Sequence, residues 1–350
     1  MKRDDHRGAG RAFTLIELLV SLAILALLMV LLVAVTDSTR KSWSSSVAKT
    51  QQFREAREAF EAITRRLSQA TLNTYWDYRY PNNDQTQPPT GYVRQSELRF
   101  ISGTAEDLNL GTDRYAHAVF FQAPLGYVSN TSYVTFRQLL NTWGFFIEYA
   151  SDQGNRPAFL SQLLPDRRRF RLMELMEPSD SLTLYQEEAR NGGATAYTGK
   201  EWYRTPLTST ANLAVVAENI IALVILPKLT PSDQSAGSYN DGSLAPNYLY
   251  DSTGLSMSTG ADPRLNPKNQ LPPVLQVTMV AVDERSAARL TDSEVTNLQA
   301  ALNGRFQDPA RYQTDLQELE SALVDLRINY RVFTTSMSIN AAKWSTSQTN

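Results

Sequence analysis

The sequence contains no cysteine and only two histidines, His6 and His117. Without cysteine the protein has no disulfide bond, thiolate nucleophile or cysteine-based zinc site, although this absence does not identify the compartment. A multi-histidine metal site is also excluded if the first dozen residues are removed, because His117 then stands alone. The sequence lacks the G-x-S-x-G, P-loop and H-E-x-x-H motifs. We therefore expect a protein that is not an enzyme and needs no cofactor.

The sequence also lacks an excess of positive or negative charge. The net charge is −2 over 350 residues, so nothing suggests a nucleic-acid partner. The length predicts one or two domains, and 42% hydrophobic residues are enough to form a buried core.

One long apolar run is present near the N-terminus. Residues 18–36 are 19 residues without a charge, close to the roughly 20 that a helix needs to cross a membrane. Residues 1–12 carry a net charge of +2, which predicts a cytoplasmic N-terminus and an external remainder. A secretory signal usually has a shorter apolar stretch than this run, and an A-x-A-like cleavage site follows it, whereas no such site follows here. A plain signal anchor fits the length but gives no role to Glu17, whose burial in a bilayer costs about 2.5 to 3.5 kcal/mol.

Residues 13–19, FTLIELL, resemble the class III signal of type IV prepilins and type II secretion pseudopilins. The resemblance implies that a prepilin peptidase cuts between Ala12 and Phe13 and that Phe13 is then N-methylated. It also implies that the apolar helix is retained for assembly, with Glu17 meeting the terminal amine of a neighbouring subunit. Phe13 and Glu17 are four residues apart and so share one helix face. The family prefers Gly where this chain has Ala12, so the efficiency of cleavage is the open point.

A second helical pattern follows the apolar run. Spacings of three and four relate Phe53, Ala56, Phe60, Ile63, Leu67 and Ala70. This single apolar stripe predicts an amphipathic helix that packs on the chain's own sheet, with a short coiled-coil seam as the alternative.

Beyond residue 73 the sequence predicts a mostly antiparallel sheet with interspersed helices. Strands are predicted at 96–101, 118–122, 144–149, 169–175, 181–185, 220–226, 274–282 and 327–339. Helices are predicted at 136–143, 292–302 and 313–326. Residues 227–273 are rich in Pro, Ser and Asn and predict a long loop.

These patterns predict an α+β protein with a long N-terminal helix, half transmembrane, packed on a mostly antiparallel head, as in pilins. Its expected parts are a leader (1–12), an assembly helix (13–36), an amphipathic continuation (37–73) and an extracytoplasmic head (74–350). The stretch FREAREAFEAITRRLSQA at 53–70, with IIALVIL at 220–226, resembles J-type minor pseudopilins, and most of the chain more closely resembles the C protein of the prepilin-like Verru_Chthon cassette. The second resemblance lies in the stretches SELRFISG, HAVFFQAPLGY, RFRLMELMEPSD and INYRVF.

Several polar residues are candidates for catalytic or metal-binding sites. His117 is predicted to be a core or strand-edge residue and not a catalytic base. The acid pairs Glu187-Glu188 and Asp283-Glu284 are predicted to lie in solvated loops. Asp241 and Asp251 are weak candidates for calcium, against a role as turn residues.

Two further clusters have both a structural and a binding interpretation. Arg167, Arg168, Arg169 and Arg171 suit a charged strand edge better than a lipid, DNA or acidic-partner site. The aromatic residues Tyr75, Trp76, Tyr78 and Tyr80 are predicted to pack under the helix end, with stacking on sugars or bases as the alternative.

The prediction as a whole is a minor pseudopilin-like subunit of a type IV pilus or type II secretion-like filament. It would be a single-pass protein of the bacterial inner membrane with a periplasmic head. The expected partners are the prepilin peptidase, other pilin or pseudopilin subunits, an inner-membrane assembly platform and membrane lipid. The alternative is an anchored binding or adhesion protein that does not polymerise and uses the 227–273 loop or the aromatic cluster.

Overall fold

A computed structural model describes residues 14–151, 159, 163, 166–190, 199–231, 243–245, 247–254 and 267–343, without the side chains of 45, 83 and 187–190. The protein is α+β, with a long N-terminal helix and antiparallel sheets, as the sequence predicts. The chain divides into two compact units, Met1–Gln51 and Gln52–Asn350, and each is described by itself.

Helix α1 (Leu15–Leu67) contributes to both units. In the first unit its apolar side chains from Leu15 to Val35 are exposed, and the helix is long and apolar enough to cross a membrane. In the second unit the predicted stripe is confirmed, because Ala56, Phe60, Ile63, Leu67 and Ala70 are buried in the core. The opposite face carries the exposed i,i+4 ion pairs Arg54–Glu58 and Arg57–Glu61.

The second unit contains the remaining described elements. The strands are β1 Tyr75–Arg79, β2 Gly91–Gln95, β3 Phe100–Thr104, β4 Arg114–Ala123, β5 Asn141–Ser151, β6 Arg168–Glu177, β7 Leu213–Glu218, β8 Ile220–Lys228, β9 Tyr250–Asp251, β10 Val274–Val282 and β11 Tyr330–Ser338. The helices after α1 are α2 Thr183–Arg190, α3 Glu201–Arg204, α4 Glu284–Ala287, α5 Asp292–Gly304 and α6 Tyr312–Asp325.

Three antiparallel sheets form from these strands. The largest has the order β7-β6-β5-β4-β3-β9, the second has β11-β10-β8, and β1 pairs with β2 in a sheet of two strands. The three-stranded sheet packs on the six-stranded one through contacts between β8 and β4. Strand β8 is buried along almost its whole length, which explains its continuous apolar sequence IIALVIL.

The six-stranded sheet is covered on both faces. On one face Phe121, Phe145 and Leu172 join the core cluster that holds α1, the three-stranded sheet, α5 and α6. On the other face Phe120 and Phe146 join a second cluster with residues of α2 and α3.

Two predicted elements are wrong. Residues 136–143 do not form a helix, because β5 begins at Asn141 and Trp143 pairs with Phe121 of β4 and Met176 of β6. Residues 181–185 do not form a strand, because α2 begins at Thr183. The Glu177 carboxylate there accepts hydrogen bonds from the Thr183 amide (2.9 Å) and hydroxyl (2.5 Å).

Two other boundaries differ from the predictions. The strand predicted at 96–101 begins at Phe100, since the amides of Glu97 and Leu98 donate instead to the Asn73 side chain, each at 3.0 Å. Within the predicted loop 227–273, Tyr250–Asp251 form β9 and pair with β3.

Candidate assembly site at the start of helix α1

Helix α1 begins with a capping box formed by Thr14 and Glu17. The amide and hydroxyl of Thr14 donate to Oε2 of Glu17 at 3.2 and 3.0 Å, and the Glu17 amide lies 3.4 Å from the Thr14 hydroxyl. These bonds satisfy donors that a helix start otherwise leaves open. The sequence analysis missed Thr14, although T-x-x-E before an apolar run is a recognised signature of a helix start.

The capping box leaves Glu17 able to take a further partner. Glu17 is exposed, and a carboxylate has about four lone-pair sites, of which the Thr14 bonds use part. Ala12 and Phe13 lie outside the described residues. Cleavage, methylation and the pairing of Glu17 with a Phe13 amine therefore stay predictions.

The apolar run satisfies its own hydroxyl groups. Ser21 donates to the Leu18 carbonyl at 3.0 Å, and Thr36 donates to the Leu32 carbonyl at 2.7 Å. Such bonds to the preceding turn let hydroxyl residues stay in a helix without water. The exposed surface from Leu15 to Val35 is therefore suited to lipid or to another apolar helix.

The arginine cluster is held by partners within the head. Arg169 pairs with Glu218 and, at 2.9 Å, with Glu284, while Arg171 is buried and donates to the carbonyls of Ala150 and Ser151. Strand β6 lies between β5 and β7, so the prediction of a strand edge is wrong for Arg169 and Arg171.

A cleft of about 440 Å³ lies beside this cluster. Arg167, Arg168 and Arg169 line it together with apolar side chains of β8, β10 and α5. Arg167 is 3.6 Å from Glu284, and Arg168 lies over the Tyr149 ring at 5.0 Å. Acidic and aromatic groups of the protein therefore already contact these arginines.

His117 is a core residue, as predicted. It is buried on β4, where its Nδ1 accepts from the Ile225 amide at 3.2 Å and its Nε2 lies 2.9 Å from the Phe306 carbonyl. These partners select the neutral ring with the proton on Nε2. Burial lowers the pKa of His117 to about 4.

The carboxylates of Asp283 and Glu284 bind different partners. The Asp283 carboxylate caps α4 and accepts from Asn329 at 2.8 Å, whereas Glu284 binds Arg169 and Asn219. Both carboxylates therefore have structural roles, which corrects the prediction of solvated loop charges. The side chains of Glu187 and Glu188, on α2, lie outside the described ones.

Of the two calcium candidates, the structure describes only Asp251. Its Oδ1 accepts from the amide and hydroxyl of Thr253 at 2.9 and 2.7 Å, which closes a turn. Asp241 lies outside the described residues. Within the described part of the chain, no group of three or more His, Cys, Asp or Glu side chains is placed to hold a metal ion.

The four aromatic residues do not all pack as the sequence predicts. Trp76 and Tyr78 of β1 are 57% and 51% exposed and Tyr75 is 48% exposed, while Tyr80 is half-buried. The prediction of core packing under the helix end is therefore wrong for the three exposed rings. The sequence analysis also missed Tyr92 and Arg94, which β2 places beside them.

Comparison with known families gives one match. The model of the prokaryotic N-terminal methylation motif matches residues 9–33. No curated protein and no solved structure matches the chain. The chain thus carries a type IV prepilin-like class III signal, which implies processing by a prepilin peptidase and assembly with other pilins. The signal and the apolar part of α1 together indicate membrane anchoring.

Proposed function

We propose that this protein is a minor pseudopilin-like subunit of a type IV pilus or type II secretion-like filament. It is stored in the inner membrane and assembled through α1. The observation that carries the proposal is the methylation motif at residues 9–33, which coincides with the apolar start of α1 and its exposed Glu17.

The proposed assembly step transfers α1 from lipid to a bundle of like helices. Its apolar side chains then contact neighbouring helices, and Glu17 accepts a hydrogen bond from the Phe13 amine of the next subunit. A charged pair in an apolar bundle is strongly position-dependent, so it would fix the axial register of the subunits. The large head favours a minor or initiating subunit over the main repeating one.

We further propose that the head is not an enzyme. The one histidine beyond the leader uses both ring nitrogens inside the core, and Asp283 and Glu284 are bound by structural partners. These groups stabilise the fold through their bonds to other residues. An acid–base catalyst would instead need to reach a substrate.

A second candidate is an anchored binding protein that does not polymerise. The exposed rings of Trp76 and Tyr78 favour it, because monomeric proteins seldom leave such residues clustered at the surface without a function. The two candidates differ in whether α1 mediates subunit contacts.

The processing claim is tested by mass spectrometry of the N-terminus of protein extracted from membranes of a host with a prepilin peptidase. We expect a chain that begins at N-methylated Phe13. An Ala12→Gly variant is the matched control, and its processed fraction should equal or exceed that of the natural sequence. An intact leader in both proteins would contradict the proposal.

A further inference from the structure

The hairpin of β1 and β2 has one face made of planar side chains. In its antiparallel register Trp76 lies opposite Arg94 and Tyr78 lies opposite Tyr92. Because side chains alternate along a strand, these four groups share one face, while Tyr75 and Asp77 belong to the other. Tyr80 follows at the end of the same row, with its ring 6.3 Å from that of Tyr78.

Three rings on this face are open to solvent. Trp76, Tyr78 and Tyr92 are 57%, 51% and 65% exposed. Tyr78 and Tyr92 have their ring centroids 5.2 Å apart, and the Arg94 guanidinium lies 5.5 Å from the centre of the Trp76 ring. The cation–π contact extends the ring surface by one more planar group. We call these four residues and Tyr80 the aromatic face.

Hydrogen bonds hold the hairpin at its base and at its tip. At the base, Oδ1 of Asn73 accepts from the amides of Glu97 and Leu98, and its Nδ2 donates to the Glu97 carboxylate at 3.1 Å. At the tip, Asp84 accepts from the amide and hydroxyl of Thr86 at 3.0 and 2.6 Å. A platform fixed before binding loses little conformational entropy when a ligand docks.

The chemistry of the aromatic face fits a saccharide. Aromatic rings offer flat apolar surface to the C–H face of a pyranose, and the tyrosine hydroxyls and Arg94 offer hydrogen bonds to its hydroxyl groups. Trp76 and Tyr78 are two residues apart on one strand, a distance of about 7 Å. Successive pyranose rings of an oligosaccharide could therefore stack on different aromatic side chains.

Charge argues against nucleic acid as the ligand. The charged residues of the two strands and their turn are Asp77, Arg79, Asp84 and Arg94, which sum to zero. Single-stranded nucleic acid is held by stacking together with a positively charged groove, and this hairpin has no such excess of charge. Tyr, Trp and Arg are also enriched at protein interfaces, so a second copy of the chain is the competing occupant that the test separates from a sugar.

We propose that the aromatic face binds a neutral oligosaccharide, with pyranose rings stacked on Trp76, Tyr78 and Tyr92. This site does not depend on filament assembly, because each residue that forms it lies in the second unit of the chain.

The test uses the full chain in lipid nanodiscs, because detergents with sugar head groups would compete for the site. Cellohexaose, chitohexaose and mannohexaose are titrated by calorimetry, and a dT20 oligonucleotide is titrated in parallel. We expect at least one hexasaccharide to bind. Trp76→Ala and Tyr92→Ala should each weaken that binding about tenfold, the loss that removal of one stacking ring typically produces.

Tyr75→Ala is the matched control, because it removes an exposed ring from the same strand on the opposite face. Its affinity should stay within about twofold of the natural chain. Failure of all three hexasaccharides to bind would overturn the proposal, as would equal losses in Tyr75→Ala and Trp76→Ala. Binding of dT20 alone would assign the face to nucleic acid. Self-association that is lost in Trp76→Ala, without sugar binding, would assign it to a second copy.

Discussion

At the scale of single residues, the clearest relation between sequence and stability is at His117. Its place before the apolar run AVFFQ predicts a core histidine, and the structure confirms this. Its partners, the Ile225 amide and the Phe306 carbonyl, lie more than a hundred residues further along the chain. The sequence therefore predicts the burial but not the tautomer that these distant groups select.

His117 should make the stability of the head pH-dependent. Burial lowers its pKa from 6.5 to about 4 in the folded state. The unfolded chain thus binds more protons between these values, and the folded state loses stability as the pH falls from 6.5 towards 4. The full loss is about 3 kcal/mol. Urea unfolding followed by tryptophan fluorescence at several pH values measures it.

His117→Gln provides the comparison, since glutamine does not titrate. The variant has a lower stability at neutral pH, where it loses the two ring contacts, but a flatter pH profile. Glu174 and Glu177, whose pKa values burial raises, contribute equally to both proteins. Parallel profiles for the two proteins would show that His117 is not the titrating group.

At the scale of elements, prediction succeeded where the pattern was local. The stripe from Phe53 to Ala70 and the helices near 292–302 and 313–326 follow a helical period. Helix α1 contains the stripe as far as Leu67, and α5 and α6 form at the other two positions. Residues 136–143 are also predicted as a helix, but 141–143 begin β5, because pairing with β4 and β6 outweighs the local preference. The sequence did not predict the β1–β2 hairpin, because its aromatic residues are of the type that usually packs in a core.

Long-range ion pairs are also invisible to a local pattern, and one of them attaches α1 to the six-stranded sheet. Arg66 bonds to Glu174 of β6, 108 residues away, and its guanidinium lies 4.4 Å from the centre of the Trp143 ring. Burial raises the pKa of Glu174 despite this partner. The Arg66 guanidinium acts against this effect of burial and lowers the pKa of the same carboxyl.

Arg66→Ala should destabilise the head by about 3 kcal/mol, because it leaves a buried carboxylate unpaired. Glu174→Gln replaces that carboxylate by an amide, so the double variant should regain part of the loss. Thermal or urea unfolding of the three variants gives the coupling energy. A double variant as unstable as Arg66→Ala would show instead that the contact with Trp143 carries the stability.

At the scale of the whole molecule, the fold class and the membrane anchor were predictable because each depends on many residues. The role of Glu17 is harder to predict, because Glu17 also accepts hydrogen bonds from Thr14 of its own chain in the capping box. Loss of assembly in a Glu17 variant alone would not distinguish that capping role from a contact between subunits. The sequence motif specifies the residue, while its proposed partner would belong to another chain.

Two variants separate the roles of Glu17. Glu17→Gln removes the charge that would pair with a neighbour's amine, whereas Thr14→Val removes the capping hydroxyl and keeps the carboxylate. We expect cross-linking between subunits to fall at least tenfold in Glu17→Gln and to remain nearly unchanged in Thr14→Val. Helix content in nanodiscs, measured by circular dichroism, serves as the control. Equal losses of cross-linking in both variants would identify helix capping as the function of Glu17.

The contacts of α1 within the second unit also determine how this helix would respond to mechanical load. The Gln52 side chain bonds to the Val282 carbonyl and the Glu284 amide, each at 2.8 Å, and Asn340 donates to the Ser68 carbonyl at 3.0 Å. These attachments lie at opposite ends of the buried stripe, with the Arg66 pair near the second. A pull on the helix would therefore act on contacts at both ends of the buried stripe. Detaching α1 from the head would require breaking both sets of contacts.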